Sequence, residues 1–233
     1  MQVRIVNNYE NLINKAFTIL KNVIKRNPYA VLGLTTDNSL SGLYKLMVDD
    51  CKNRNISYRH IRTVNLVEYK GLHPTNTQSC AFYMKKNLFE KLDINVGHTY
   101  IQNGMADDDN AECQRYNEIL ESLPRDIQFL GLEEDSNIAF SDTYSPFGSL
   151  THLVELSGET NGASKKAFTM GIKSIMQAKQ VVVLAIGKNS AETVYKLVEG
   201  ELSERVPISV LQLHPFCTVL VDEEAGSLLR KNK

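Results

Sequence analysis

An α/β fold, a mostly parallel Rossmann-like sheet with helices on both faces, is predicted as a single domain over residues 1–233. Three observations predict it. Short strand-like runs alternate with helical periods from end to end. Two runs, residues 30–34 and 180–186, are almost continuously apolar, as expected of parallel strands covered on both faces. No linker, internal repeat or low-complexity tract interrupts the pattern, and 233 residues suit one large domain better than two.

Taken in order, residues 3–6 read as a short strand. Residues 8–26 place Leu12, Ala16, Ile19, Leu20 and Val23 at helical spacing, and Asn27-Pro28 ends that helix. The buried run 30–34 is followed by a polar turn, residues 35–39, which opens a helix to about Cys51. Residues 58–66 read as a strand and 79–92 as a helix carrying Phe82, Leu88 and Phe89. A short strand at 99–101, a helix at 106–123 and a strand at 127–132 follow. Residues 152–156 are a candidate strand and 163–177 a helix, with Lys165, Lys166, Lys173 and Lys179 on a solvated helix face. The strand 180–186 and the helix 191–200 come next, and strands at 206–211 and 218–221 close the sheet.

Composition narrows the function classes. A net charge of −1 argues against a nucleic-acid partner, which needs clustered Lys and Arg. The first residues, Met1-Gln2-Val3-Arg4-Ile5-Val6, contain no long apolar stretch, so a signal peptide is not expected. No apolar run approaches the ~20 residues a membrane helix needs, so no membrane partner is expected either. Cys51, Cys80, Cys113 and Cys217 lack metal-ligand spacing and read as ordinary thiols of a cytoplasmic protein.

In parallel α/β sheets, ligands sit outside the carboxyl ends of the strands. That topology singles out four loops, at 35–39, 67–79, 131–150 and 187–190. The loop at 130–142 reads Leu-Gly-Leu-Glu-Glu-Asp-Ser-Asn-Ile-Ala-Phe-Ser-Asp, a buried strand running into an acidic turn and a second apolar run. Glu133, Glu134 and Asp135, with Asp142 and Glu68, are either a hard-cation cluster or a solvated acidic turn; no known spacing motif is met, and the turn is favoured. No metal is expected. His214 reads as a structural histidine at a strand end. His73 and His152 read as surface or core residues, with entry into the loop site as the alternative.

The same loop resembles the active-site loop of glucosamine-6-phosphate deaminases, Gly-x-Gly-x-Asn/Asp-Gly-His-Ile-Ala/Gly-Phe-Asn-Glu-Pro. Four other stretches carry the resemblance across nearly the whole chain: residues 31–36 (Val-Leu-Gly-Leu-Thr-Thr), 63–72 (Thr-Val-Asn-Leu-Val-Glu-Tyr-Lys-Gly-Leu), 111–116 (Ala-Glu-Cys-Gln-Arg-Tyr) and 209–215 (Ser-Val-Leu-Gln-Leu-His-Pro). The resemblance implies an α/β domain of carbohydrate metabolism that takes a sugar or sugar phosphate, needs no cofactor and forms a homo-oligomer.

Carried over by position, the resemblance implies catalytic positions at Glu68, Asp135, Asn137 and Asp142, and substrate-binding positions at Thr35, Thr36, Ser39, Lys188 and Ser190. It also implies departures from the family pattern. The base that moves a proton between C1 and C2 falls on Val67, the ring-opening His on Asn137 and its partner Glu on Asp142. Two of the family glycines fall on Glu133 and Ser136. The phosphate-binding turn reads Thr36-Asp37-Asn38-Ser39, the phosphate Arg falls on Leu150, and the phosphate Lys on Ser190. A segment of roughly a dozen residues carrying a further Arg is absent around residues 158–164.

An amide cannot exchange a proton near neutral pH as imidazole does. Losing a general base costs about 10²–10⁴-fold, and each lost charge-assisted phosphate contact about 1.5–3 kcal/mol. The expectation is therefore a homologue that binds a sugar or regulates, without efficient deaminase activity. The alternatives are an enzyme with changed chemistry on an unphosphorylated or cationic sugar, and residual isomerase or hydrolase activity on glucosamine 6-phosphate. Related scaffolds serve as phosphogluconolactonases or as effector domains of regulators. No helix-turn-helix segment is visible before residue 30, so a self-contained transcription factor is not expected.

Overall fold

The computed structural model describes residues 1–132, 136–141, 145–156 and 165–230. The chain opens with β1 (Gln2–Val6) and α1 (Tyr9–Arg26), whose first turn is capped by Asn8 accepting from the Asn11 amide at 2.9 Å. There follow β2 (Val31–Leu34), α2 (Ser41–Lys52), β3 (Arg62–Asn65), β4 (Val67–Tyr69), α3 (Cys80–Asn87), β5 (Thr99–Tyr100) and α4 (Asp109–Ser122). The second half comprises β6 (Ile127–Gly131), β7 (His152–Glu155), β8 (Lys166–Thr169), α5 (Ile172–Met176), β9 (Val181–Ala185), α6 (Ala191–Val198) and β10 (Cys217–Asp222).

Seven of these strands form one sheet in the order β1-β10-β9-β6-β2-β3-β5, and every pairing in it is parallel. Alternation of side chains along the strands splits the core in two. Leu32, Phe129, Val182, Leu184 and Leu220 point to one face and pack with α1 and α2 through residues such as Leu12, Leu20, Leu43 and Met47. Val31, Leu130, Val183 and Val219 point to the other and meet α4, α5 and α6 through Tyr116, Ile175 and Leu197. The predicted architecture, a mostly parallel sheet covered on both faces, is the one observed.

Four local expectations change. The stretch 58–66 is not one strand: pairing with β2 covers only Arg62–Asn65, and after Leu66 the chain turns into β4. β4 belongs to a second, antiparallel three-stranded sheet in the order β4-β8-β7. The described part of the predicted helix at 163–177 is β8 followed by the short α5. Ala167 and Phe168 are buried, and β8 is held by ladder bonds to both β4 and β7, so tertiary pairing wins over the helical spacing of the lysines. Lys166 therefore lies on a strand and Lys173 on α5, not on one helix face. Finally, the apolar run at 206–211 is a 3-10 helix, Pro207–Leu213, because Pro207 at its first position supplies the helical φ and no strand donor.

Candidate active-site cavity

A cavity of about 200 Å³ opens at the carboxyl ends of the central strands. Its polar wall is the turn after β2: Thr35, Thr36, Asp37 and Asn38. Its apolar floor is Leu66 and Val67, where β3 passes into β4. Tyr69, Gly131, Asn137, Ala139 and Phe140 complete it. The site thus lies where topology alone places ligands in such sheets.

Each wall is held by identifiable bonds. The Tyr44 hydroxyl, buried beneath the turn, donates to the Thr35 carbonyl and accepts from the Thr35 amide at 3.3 Å, pinning the end of β2. Burial drives the Tyr44 phenol far above its ordinary pKa, so it serves as a neutral donor and acceptor. Asp37 caps the following 3-10 turn, its Oδ1 accepting from the Ser39 amide at 2.7 Å. Its carboxylate lies directly on Gly131, where a Cβ would fall well inside 3.0 Å. Gly131 is needed there for close approach rather than for its backbone angles.

The loop after β6 is fixed differently. Ile138 and Ser141 form an isolated antiparallel bridge, and the Phe140 amide donates to Thr169 Oγ1 at 3.3 Å. Phe140 also packs its ring on Tyr69, 5.8 Å between centroids. Ser136 and Ala139 hold φ of 62° and 54°, left-handed values that cost a residue with a Cβ of the order of 1 kcal/mol each. Ser136 stands where the resemblance places a glycine.

The positions singled out in the sequence divide into three groups. Thr35, Thr36, Val67 and Asn137 line the cavity. Val67 is only 4% exposed, and its backbone pairs with Thr169 of β8. Asp135 and Asp142 lie outside the described residues, as do Glu133 and Glu134. Glu68, Ser39, Lys188 and Ser190 are described but do not line the cavity.

Glu68 is the clearest departure from the expected placement. Its neighbour Val67 faces the cavity, so strand alternation turns Glu68 the other way. There it is 2% exposed and its carboxylate takes four hydrogen bonds, three of them at the start of α3. Oε1 accepts from the Tyr69 and Cys80 amides at 2.8 and 3.0 Å, and Oε2 from the Ser79 hydroxyl and the Ala81 amide, both at 2.8 Å. Burial raises its pKa, and these bonds work against that rise. A side chain whose acceptor capacity is spent on a helix N-terminus anchors α3 to β4 and does not line the cavity.

The second loop cluster is likewise structural. Ser190 donates to the carbonyls of Ile186 at 3.0 Å and Leu132 at 3.3 Å, tying the ends of β9 and β6 together. Lys188 is exposed on the turn after Gly187. Gly187 has φ of 77°, and its amide donates to both oxygens of Asp222. Ser39 keeps its hydroxyl buried, with no partner among the described residues.

The histidines stay out of the cavity. His214 is buried; its Nδ1 accepts from the Phe216 amide at 3.1 Å, which leaves Nε2–H to donate to the Ala178 carbonyl at 2.8 Å. His73 bonds Thr75 at 2.8 Å, and His152 bonds the Leu150 carbonyl at 2.8 Å. Among the described residues no group of three or more His, Cys, Asp or Glu side chains is placed to hold a metal ion. Leu150 is 40% exposed and also lies outside the cavity wall. Sequence reasoning missed Tyr69 and Phe140 as cavity walls. The signal was present in their place at strand ends, but aromatic residues there are as easily read as core.

Comparison with known proteins follows the same outline. Residues 7–219 match the model of the glucosamine-6-phosphate isomerases/6-phosphogluconolactonase family. The glucosamine-6-phosphate deaminase of Geobacillus sp. (strain WCH70) is 40% identical over 238 residues, 97% of this chain and 95% of the relative. Glucosamine-6-phosphate deaminase 1 of Bacillus subtilis (strain 168) is 40% identical over 240 residues, 98% and 99% respectively. The solved structure of a monomeric glucosamine-6-phosphate deaminase superposes with a TM-score of 0.95 at 40% identity, covering 98% of this chain and all of that one. With matches of that length, identity and shape, this chain belongs to the glucosamine-6-phosphate isomerase/6-phosphogluconolactonase family.

Proposed function

We propose that this protein binds a small sugar or sugar derivative in the strand-end cavity and is not an efficient deaminase. The observation that carries the reading is Val67. It is an apolar side chain, 4% exposed, in the cavity wall at the position the resemblance assigns to the proton-transferring base. A valine can neither take nor give a proton, and Asn137, also in the cavity lining, cannot substitute for an imidazole. Asp135 and Asp142 remain proposed site residues on the resemblance alone. Thr35 and Thr36 are proposed to bind ligand. Glu68 and Ser190 are proposed to hold the walls rather than to act on it.

The full-length identity to curated deaminases favours a second reading, turnover of glucosamine 6-phosphate by a rearranged set of residues. An ammonia-release assay with glucosamine 6-phosphate, run beside calorimetric titration with sugars, separates the two. Binding without ammonia release supports the first reading; release at an ordinary enzymatic rate sinks it.

A cytoplasmic location is proposed with the same reading. No helix among the described residues is long and apolar enough to cross a membrane. Self-association is proposed as well, although the solved relative named above is a monomeric enzyme. Sedimentation at micromolar concentration tests it, and a monomer there removes the proposal.

A further inference from the structure

We infer that the cavity selects an unphosphorylated, amine-bearing sugar through Asp37, and that it disfavours the phosphorylated form. The inference rests on the sugar-binding reading above and specifies its ligand. Among the described residues lining the cavity, Asp37 is the one acidic side chain, and Lys, Arg and His are absent. A phosphate dianion there would face a carboxylate with no neighbouring cation to offset it. An ammonium would find the reverse.

The carboxylate is also held in place at the cavity. Oδ1 is engaged by the Ser39 amide at 2.7 Å, which fixes the side chain on the turn. Oδ2 takes no hydrogen bond from a described residue and is not sealed from the surface. Gly131 gives the carboxylate room to lie along the end of β6, at the cavity edge. Among the described residues Asp37 forms no ion pair, so the ligand itself is the natural counter-charge.

Thr35, Thr36, Asn38 and Asn137 supply hydroxyl and amide partners for a polar ring, while Val67 and Phe140 supply apolar surface. The volume, about 200 Å³, falls below the roughly 300–1,000 Å³ of sites for drug-sized ligands. It fits a single sugar ring better than an oligosaccharide.

Calorimetric titration of the full chain with glucosamine, glucose and the 6-phosphates of both tests the inference. One charge-assisted bond gives about tenfold or more in affinity, so glucosamine should bind at least about tenfold tighter than glucose, and each 6-phosphate more weakly than its parent sugar. Added salt should narrow both preferences. Asp37→Asn retains a capping oxygen for the Ser39 amide. It should bring the glucosamine-to-glucose affinity ratio near one. Asp37→Ser, a second good cap, should do the same if the asparagine variant melts early. Equal binding of glucosamine and glucose by the unaltered chain, or tighter binding of a 6-phosphate than of its parent, overturns the inference and leaves sugar binding standing. Absence of binding to all four overturns both.

Discussion

The carboxylate of Asp37 rests on the Cα of Gly131, so that the turn after β2 meets the end of β6 through that one side chain. The contact closes one side of the cavity and couples two loops far apart in sequence. It follows from two features of the sequence together: an acidic residue placed to cap the 3-10 turn, and a glycine at the last position of a buried strand.

Gly131→Ala should therefore be destabilising although its backbone lies in an ordinary region. A Cβ there cannot coexist with Asp37 in place. Overpacking of this kind costs about 1–3 kcal/mol, measurable as a lower midpoint in urea with an unchanged slope. Asp37→Gly in the same chain should recover part of the loss, since the two residues are in contact and their effects should not add. Strict additivity would show that the contact is not the cause.

Glu68→Gln tests whether that side chain anchors α3. The amide has one acceptor where the carboxylate has two, so two of the four donors lose their partner. At about 1–3 kcal/mol per unsatisfied buried group, a loss of about 2–6 kcal/mol is expected, large for one substitution. The pH dependence has a definite sign. The folded pKa lies above the ordinary 4.5, so between the two values the native state binds more protons than the unfolded one. The contribution of this group is fully present below the unfolded value and declines as pH rises through that window. Glu68→Gln should flatten that part of the stability profile.

Ser136→Gly should stabilise or be neutral, by 0 to about 1 kcal/mol. Relief of the left-handed backbone at φ 62° works for the variant, and the greater freedom of glycine in the unfolded chain works against it. The serine hydroxyl contributes little, its contact with Thr193 Oγ1 being 3.4 Å. Thermal melting decides the sign, and a loss above about 1 kcal/mol would show that Ser136 makes a contact of greater worth.

Much of the fold was legible because its strongest signals are local. The unbroken apolar runs at β2 and β9 and the helical period of α1 each have a physical cause that acts within a few residues. The antiparallel sheet of β4, β8 and β7 was not legible, since Lys166–Thr169 becomes a strand only through pairing on both sides. The 3-10 helix at Pro207–Leu213 was misread for a similar reason, its apolar residues being buried without the alternation of a strand. In the site, three of the four loops singled out by topology supply cavity residues, Thr35, Thr36, Val67 and Asn137 among them, whereas the loop at 187–190 does not. The placement of Glu68 could have been anticipated from strand alternation alone, because adjacent residues of β4 cannot face the same side.

The proposed lack of efficient chemistry makes a last prediction that can be read from gain as well as loss. The unaltered chain should release no ammonia from glucosamine 6-phosphate at a rate near the ~10 s⁻¹ typical of enzymes. Val67→Asp alone should change little while Asp37 still opposes the phosphate. Combining Asp37→Gly with Val67→Asp and Asn137→His removes the repulsion, installs a carboxylate at the cavity wall and adds an exchangeable proton to the same cavity. Restoring one general base is worth about 10²–10⁴-fold, so the triple variant should exceed the unaltered chain by at least about 10²-fold. Val67 and Asn137 both line the cavity, so replacements at these positions border the ligand space. Should the variant fold, bind glucosamine 6-phosphate and still release nothing, the residues at 67 and 137 are not what silences the reaction. The cause would then lie in the acidic loop or at the positions to which the resemblance assigns phosphate binding.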